Sequence, residues 1–149
     1  MRAVVQRVRS ARVTVGGECV AEMDAGLLAL IGVGRADDES SARELARRLV
    51  HLRVLADARG RMNESLQSAG GTLGIVSQFT LFGDARQGRR PSYAEAAPAE
   101  RAEPLIEVVA DTAREHGVEV VTGRFGAMME VALLNDGPVT ILLDTERRF

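Results

Sequence analysis

The N-terminal part of the chain alternates between polar and apolar positions, which is the pattern of strands with one buried face. Segments 3–8 and 11–15 alternate in this way, and Gly16-Gly17 separates them from a third alternating run, 18–23. A glycine pair between two such runs is typical of the turn of an antiparallel hairpin. The next segment, 26–33, is apolar without alternation, which predicts a strand covered on both faces.

Helical spacing appears in two later segments. After the acidic run 37–39, apolar residues recur at helical spacing as far as Val50, with arginines near the end. This predicts a helix aligned with its macrodipole and begun by solvated acids. A second helix is predicted from about Glu100 to His116, with Pro104 in its first turn and Gly117 as its stop. Its predicted buried side consists of Leu105, Val108, Val109, Thr112 and Ala113.

Short apolar stretches complete the prediction. Gly70-Gly71 introduces a strongly apolar segment, 72–81. Further strands are predicted at 53–55, 118–121, 128–134 and 139–143. Because strands outnumber helices and no linker or repeat interrupts the chain, we predict an α/β fold in one domain, 1–149. Its sheets are expected to be mixed, mainly antiparallel and curled toward a barrel, with two helices packed on one side.

Composition and charge narrow the range of functions. A single cysteine, Cys19, excludes an internal disulfide and is typical of a reducing compartment, so we expect a cytoplasmic protein. The alternating N-terminus does not resemble a signal peptide, and the longest apolar run is too short to span a bilayer, so no membrane partner is expected. Nineteen basic residues, all arginine, face 21 acidic ones. We therefore expect no DNA partner, and only local contacts with any RNA.

The familiar catalytic and cofactor-binding motifs are missing. The two histidines, His51 and His116, are predicted at helix C-termini, where a protonatable ring suits the helix dipole. There is no histidine spacing for zinc, no nucleophile elbow and no phosphate-binding glycine loop. The absence of lysine excludes Schiff-base chemistry. We therefore expect neither a metal ion nor an organic cofactor.

Two segments stand out for their polar residues. Ser77, Gln78 and Thr80 lie at the end of the apolar segment 72–81, where a buried strand gives way to a loop. Polar groups there need partners, which could be neighbouring backbone or a ligand. The second segment, Asn135–Thr140, lies between two predicted strands and has the composition of a simple turn.

Taken together, Ser77–Leu81 and Asn135–Thr140 resemble the paired signature motifs of the D-aminoacyl-tRNA deacylases, the enzymes that check chirality in translation. Other stretches resemble the same family in the same order along the chain: Val5–Val8 with Ala11 and Val13, Gly26–Leu28, Met62-Asn63 with Ala69–Gly71, Arg90–Ser92, and Thr122–Phe125. The resemblance covers essentially the whole chain, and the tail 144–149 departs from it outside the motifs.

The resemblance implies a homodimer that hydrolyses the ester between a D-amino acid, or glycine, and the 3′-terminal adenosine of tRNA. It implies that Gly137-Pro138 is a cis dipeptide that enters the active site of the opposite subunit, where its carbonyls exclude an L side chain. Arg7 would tether this dipeptide. Ser77 and Met129 would contribute to substrate binding.

The implied catalytic residues are Gln78, Phe79 and Thr80. Because the chain offers no plausible base, the backbone N–H groups around Phe79 and Thr80 are candidate oxyanion donors, and the ribose 2′-hydroxyl and water would handle protons. Thr80 is expected to position the substrate. The alternative role for Thr80, as a nucleophile, would require a base.

A local basic cluster follows the first motif. Arg86, Arg89 and Arg90 are candidate tRNA contacts, although a solubilising loop would have the same composition. Three other functions remain open at this stage. They are a catalytically silent dimer that binds RNA ends or small ligands, an editor of L-alanyl-tRNA, and a hydrolase for other activated esters or for N-modified aminoacyl-tRNAs.

Overall fold

The structure, a computed structural model, describes residues 1–149 as an α/β fold. Its strands are β1 (Arg2–Val15), β2 (Glu18–Met23), β3 (Gly26–Gly32), β4 (Leu55–Ala56), β5 (Met62–Glu64), β6 (Thr72–Ser77), β7 (Glu119–Thr122) and β8 (Glu130–Asp144). Its helices are α1 (Glu39–Val50), α2 (Leu66–Ala69) and α3 (Ala99–Glu115), and a 3-10 helix spans Phe79–Phe82.

The long strand β1 organises the main sheet. It pairs antiparallel with β3 along its first half and with β2 along its second half, while β8 pairs antiparallel with its opposite edge. Strands β6 and β7 extend the sheet beyond β3 in parallel. The six strands curl into a nearly closed barrel, which confirms the predicted mixed, mainly antiparallel sheet. Gly16 and Gly17, both with positive φ, form the predicted hairpin turn.

The core lies between this sheet and two helices. Helices α1 and α3 pack against each other and against one face of β1, β3 and β6, as predicted. Strand β3 is covered on both faces, since Leu27 belongs to this core while Leu28 faces a smaller cluster inside the curled sheet with Met23 and Val76. None of the helices has the length and apolar character of a membrane-spanning segment.

The start of α1 differs in part from the prediction. Asp38 caps the helix through a reciprocal capping box with Ser41. Asp37, however, is buried rather than solvated. Its carboxylate accepts hydrogen bonds from the α-ammonium group of Met1 at 2.5 Å and from the N–H of Gly34 at 2.7 Å, and these partners compensate for its burial.

The other helices also differ from the prediction. Helix α3 begins at Ala99, so Pro104 lies in its second turn and not in its first. Leu105 and Val108 are only half-buried. The residues that α3 does bury are Ala102, Ile106, Val109, Ala110, Thr112 and Ala113. The prediction of two helices was incomplete, because four-residue α2 is too short to show a helical period.

The segment Asn135–Thr140 is not a turn between two strands. Strand β8 continues through it, and β1 remains its partner on both sides. Because Gln6 pairs with Thr140 and Val8 with Asn135, residues 136–139 bulge out of the ladder. We refer to residues 135–139 as the β8 bulge. Another small shift affects the strand predicted at 53–55, which lies at Leu55–Ala56.

Candidate active site

The first motif lies where β6 leaves the sheet. The N–H of Gln78 donates to the carbonyl of Ile31 at 2.7 Å, and the chain then turns into the 3-10 helix. This helix lies closely over Gly32, where an added Cβ would come within 3.0 Å of the Gln78 carbonyl oxygen and 3.1 Å of the Leu81 Cβ. The sequence therefore brings the motif to the end of a buried strand, as predicted.

The 3-10 helix has unfilled hydrogen-bond donors at its N-terminal end. The first N–H groups of such a helix, here those of Phe79 and Thr80, have no partner within it, and no side chain caps this one. The side-chain amide of Gln78 donates instead to the hydroxyl oxygen of Thr80. The Thr80 hydroxyl therefore has a side-chain partner and not the neighbouring backbone.

A pocket of about 650 Å³ opens beside this helix. Of the residues predicted for the site, it brings together five, which are Ser77, Gln78, Phe79, Thr80 and Met129. The other walls are mostly apolar and come from β3, the start of α3 and the segment that leads into β8. They comprise Ile31, Val33, Val76, Ala97, Ala99, Ala102, Ile106, Phe125, Gly126, Ala127, Met128 and Val131.

Sequence reasoning missed the contributions of Phe125 and of α3 to this pocket. Phe125 is half-buried and follows Gly123, whose N–H donates to the carbonyl of Ile75 at 2.9 Å and so brings the segment beside β6. The stretch Thr122–Phe125 was noted only as part of the family resemblance, which was the one available signal. Apolar residues such as Ala102 carry no such signal, because they have the same pattern as ordinary core positions.

A second groove, of about 450 Å³, adjoins the pocket and shares Ser77, Ile106 and Phe125 with it. Its outer wall is charged and carries both signs, through Glu103, Glu107, Asp111, Arg114 and Arg124. Arg114 pairs with Asp111 at 2.9 Å, so the groove offers no uniformly cationic wall to RNA phosphates.

Gly137 and Pro138 do not line the pocket of their own chain. They are exposed at the tip of the β8 bulge, and the peptide bond between them is cis. Arg7 supports the bulge from below, since it donates to the carbonyl of Asp136 at 2.8 Å and to that of Val54 at 2.7 Å.

The side chain of Asn135 closes the β8 bulge from within. Its amide nitrogen donates to the carbonyl of Val139 at 3.1 Å, and its amide oxygen accepts from the N–H of Val139 at 2.8 Å. This pair of bonds imitates a backbone ladder across the residues that bulge out. The tip is therefore held at its base on both sides.

The predicted basic cluster lies on a loop, 83–92, that follows the 3-10 helix. Arg86 pairs with Asp84 at 2.6 Å, and this contact raises the pKa of Arg86 while it holds the pKa of Asp84 well below its usual range. Arg89 and Arg90 are exposed and form no ion pair with an acidic side chain. Only these two of the three arginines are therefore free to meet a phosphate.

Other titratable groups lie away from the pocket. His51 and His116 are at the C-terminal ends of α1 and α3, as predicted, and their rings meet edge to face at 5.2 Å. No group of three or more His, Cys, Asp or Glu side chains is arranged to hold a metal ion. The residues that line the pocket include no histidine and no carboxylate.

Comparison with known proteins decides the family. A sequence model described as D-Tyr-tRNA(Tyr) deacylase matches residues 4–144. The chain belongs to this family. A D-aminoacyl-tRNA deacylase from Roseiflexus sp. (strain RS-1) is 59% identical over 97% of this chain and 94% of its own. The D-aminoacyl-tRNA deacylase from Symbiobacterium thermophilum is 54% identical over 100% of this chain and 99% of its own.

Solved structures share the fold of this chain. A protein described as the c-Myc DNA unwinding element binding protein superposes with a TM-score of 0.90 at 36% identity, covering 97% of this chain and 98% of its own. A probable eukaryotic D-amino acid tRNA deacylase shares the fold at a TM-score of 0.79, with 16% identity over 95% of this chain and 97% of its own. The predicted membership in the D-aminoacyl-tRNA deacylases, and with it the prediction of an ester-hydrolysing enzyme, is confirmed.

Proposed function

We propose that the protein hydrolyses the ester that joins a D-amino acid, or glycine, to the 3′-terminal adenosine of tRNA. The observation that carries this proposal is the pocket beside the 3-10 helix, whose wall presents unfilled backbone N–H donors in a chain of the deacylase family. Its volume, about 650 Å³, falls in the range of small-ligand sites. An aminoacyl-adenosine is a ligand of that kind.

The N–H groups of Phe79 and Thr80 are the proposed oxyanion hole. Hydrolysis of an ester passes through a tetrahedral intermediate whose oxygen carries negative charge, and each fixed donor is typically worth about 3 to 4 kcal/mol in the transition state. An aminoacyl ester is already activated, so stabilisation of the transition state by such donors supplies much of the rate increase. The attacking water loses a proton and the leaving 3′-oxygen of the ribose gains one. The ribose 2′-hydroxyl of the substrate relays this proton, since it accepts one from the water and donates its own to the 3′-oxygen.

Thr80 is the proposed positioning residue. Its hydroxyl oxygen accepts a hydrogen bond from Gln78, so its own proton is free to donate to the substrate. A nucleophilic threonine would need a base to remove that proton. None of the residues that line the pocket supplies one.

We further propose that the β8 bulge of one protomer enters the pocket of its partner in a homodimer. The support is that Gly137 and Pro138 are exposed, held at their base and absent from their own pocket. Strand β8 also has an unpaired outer edge and exposes apolar side chains, notably Leu134 and Leu142. Backbone carbonyls at the tip would then exclude an L side chain by steric conflict.

The tRNA is the proposed partner, reached through its acceptor end. The formal charge of −2 leaves no broad cationic face, so contacts are local. Arg89 and Arg90 are the proposed phosphate contacts, while Arg86 is engaged by Asp84. A short contact of this kind suits an enzyme that reads only the end of its RNA.

Single-turnover deacylation tests the proposal. Purified protein, stripped of metal, is mixed with D-tyrosyl-tRNA, L-tyrosyl-tRNA and glycyl-tRNA, and the remaining ester is measured over time. We expect rapid loss of the D-tyrosyl and glycyl esters while the L-tyrosyl ester persists. If a folded dimer hydrolysed none of the three, the proposal would be overturned in favour of a dimer that only binds RNA ends.

A further inference from the structure

Two aromatic side chains meet in solvent at the edge of the pocket. The chain has only four phenylalanines and one tyrosine. Phe79 is 58% exposed and Tyr93 is 40% exposed, yet their rings contact each other edge to face, with centroids 5.1 Å apart. Burial of aromatic surface is favourable, so two exposed rings in contact with each other offer apolar area that a ligand can cover.

The loop fixes the position of Tyr93. Asp84 and Ser92 exchange two backbone hydrogen bonds of 2.8 and 2.9 Å, which close the loop just before Tyr93. The ring of Tyr93 lies against Gly83, where an added Cβ would come within 3.0 Å of its Cε1 atom. The carbonyl of Tyr93 accepts from the N–H of Ala96 at 3.0 Å. The position of the aromatic pair is therefore fixed by hydrogen bonds and close packing of the loop.

The pair lies between the pocket and the basic loop. Phe79 lines the pocket, whereas Tyr93 does not. Tyr93 follows the loop that carries the two unpaired arginines, Arg89 and Arg90. An RNA strand that ran from the pocket toward these arginines would pass the two rings. Unpaired bases in such strands commonly stack on aromatic side chains.

We propose that Phe79 and Tyr93 form a stacking platform for an unpaired nucleobase, that of the nucleotide that precedes the 3′-terminal adenosine. This inference rests on the proposed function and adds a binding site to it. Stacking uses the face of the base, so the platform accepts any base. It contributes to substrate affinity and leaves the chemical step unchanged.

Short substrates test the platform. D-Tyrosyl-adenosine, which lacks the preceding nucleotide, is compared with a D-tyrosyl ester of the trinucleotide cytidine-cytidine-adenosine. For the native protein we expect a lower KM on the trinucleotide. Tyr93→Ala should raise that KM about 5- to 30-fold, toward the value for D-tyrosyl-adenosine, with kcat unchanged. Tyr93→Phe should retain the native KM, as should the matched control Met62→Ala, which truncates an equally exposed apolar side chain (59%).

The outcomes separate the platform from the proposed function. The platform is overturned if the native protein hydrolyses both esters with equal KM. It is also overturned if Tyr93→Ala raises the KM for both esters by the same factor. In either case the proposed function stands. If neither ester is hydrolysed, the proposed function fails. Stacking on the platform is then measured without catalysis, by the fluorescence of a non-esterified RNA trinucleotide that carries 2-aminopurine at the middle position. Quenching of its fluorescence by the native protein but not by Tyr93→Ala supports stacking, and no quenching overturns it.

Discussion

The guanidinium group of Arg2 donates a hydrogen bond of 3.1 Å to the backbone carbonyl of Leu81 and so ties the first strand to the 3-10 helix that carries the proposed oxyanion donors. The same group lies 4.4 Å from the ring centroid of Phe82 and 3.5 Å from the carboxylate of Asp144. Asp144 is almost completely buried. One cation therefore anchors the C-terminal end of the helix to the sheet.

Replacement of this anchor should affect both stability and turnover. Arg2→Met leaves the carbonyl of Leu81 and the buried carboxylate of Asp144 without their cation. We expect the free energy of unfolding to fall by about 1.5 to 3 kcal/mol. Because the 3-10 helix loses its anchor, kcat should fall while KM changes little. The Arg2→Lys variant, which keeps a cation, should have a kcat between those of Arg2→Met and the native protein. Denaturant unfolding and D-tyrosyl-tRNA kinetics measure the two effects, and an unchanged kcat would show that the anchor is purely structural.

The side chain of Asn135 should control selectivity through the β8 bulge. Asn135→Ala removes both bonds to Val139, so the exposed tip at Gly137 and Pro138 loses its internal support. We expect the ratio of L-tyrosyl- to D-tyrosyl-tRNA hydrolysis to rise, because a mobile tip excludes the L side chain less well. The D rate should stay near the native value. A native ratio in a folded variant would contradict a role of the bulge in chirality.

Thr80 should support the reaction without becoming acylated. Thr80→Ala removes the hydroxyl that Gln78 positions, and we expect about a tenfold fall in the deacylation rate, the worth of one to two hydrogen bonds. Mass spectrometry of the native protein, quenched during turnover, should show the unmodified mass. A covalent aminoacyl adduct on Thr80 would refute the positioning role and establish the nucleophilic one.

Salt dependence should identify the phosphate contacts. If Arg89 and Arg90 each meet one phosphate, replacing both with alanine should reduce the slope of log(kcat/KM) against log salt concentration by about 1.4. The double variant of Arg59 and Arg61, two exposed arginines in a turn distant in sequence from the pocket motifs, makes the same change in charge and should keep the native slope. If both double variants kept the native slope, Arg89 and Arg90 would not contact RNA phosphates.

The loop that carries these arginines, 83–92, should keep its conformation at low pH. Hydrogen bonds from the side chain and backbone of Arg86 hold the pKa of Asp84 below the usual value of about 3.9. A lowered carboxyl pKa contributes stability that is present above the pKa of the unfolded chain and is lost as pH falls toward the lower, folded-state value. Tyr93 is the only tyrosine and tryptophan is absent, so its emission reports on this loop.

We expect this emission to stay constant from neutral pH down to about pH 4 and to change only below it. The Asp84→Asn variant, which cannot form the ion pair, should show the altered emission already at neutral pH. Far-ultraviolet circular dichroism controls for global unfolding. A transition of the native loop centred at the usual pKa of an aspartate would contradict the lowered value.

Much of the fold could be predicted because its determinants are local. The hairpin at Gly16-Gly17 and helix α1 each depend on residues near one another in sequence, and both were predicted. The residues of the β8 bulge are typical of turns and so predict one, whereas their pairing with β1, more than a hundred residues earlier, makes them part of one strand. Asp37 was placed in solvent for the same reason, since its partner is the distant α-ammonium group of Met1.

The candidate site also contains residues that could be predicted from the sequence and residues that could not. Ser77–Thr80 form one continuous motif at the end of a strand, so their common location could be predicted. Met129 lines the same pocket. The apolar wall from α3 could not be predicted, because Ala102 and Ile106 follow the same helical pattern as the core positions beside them. Tertiary packing alone separates a pocket wall from a core.

The separation of Gly137 and Pro138 from the pocket of their own chain has a genetic consequence. In the proposed dimer, each complete reaction centre draws on two polypeptides, so defects in the pocket and in the bulge belong to different complementation groups. Co-expression of a pocket-defective chain with a bulge-defective chain yields mixed dimers in which one centre has both parts intact and the other has both parts damaged. A cell that carries the two defective alleles together would therefore contain mixed dimers with one selective, active centre, which neither allele provides alone.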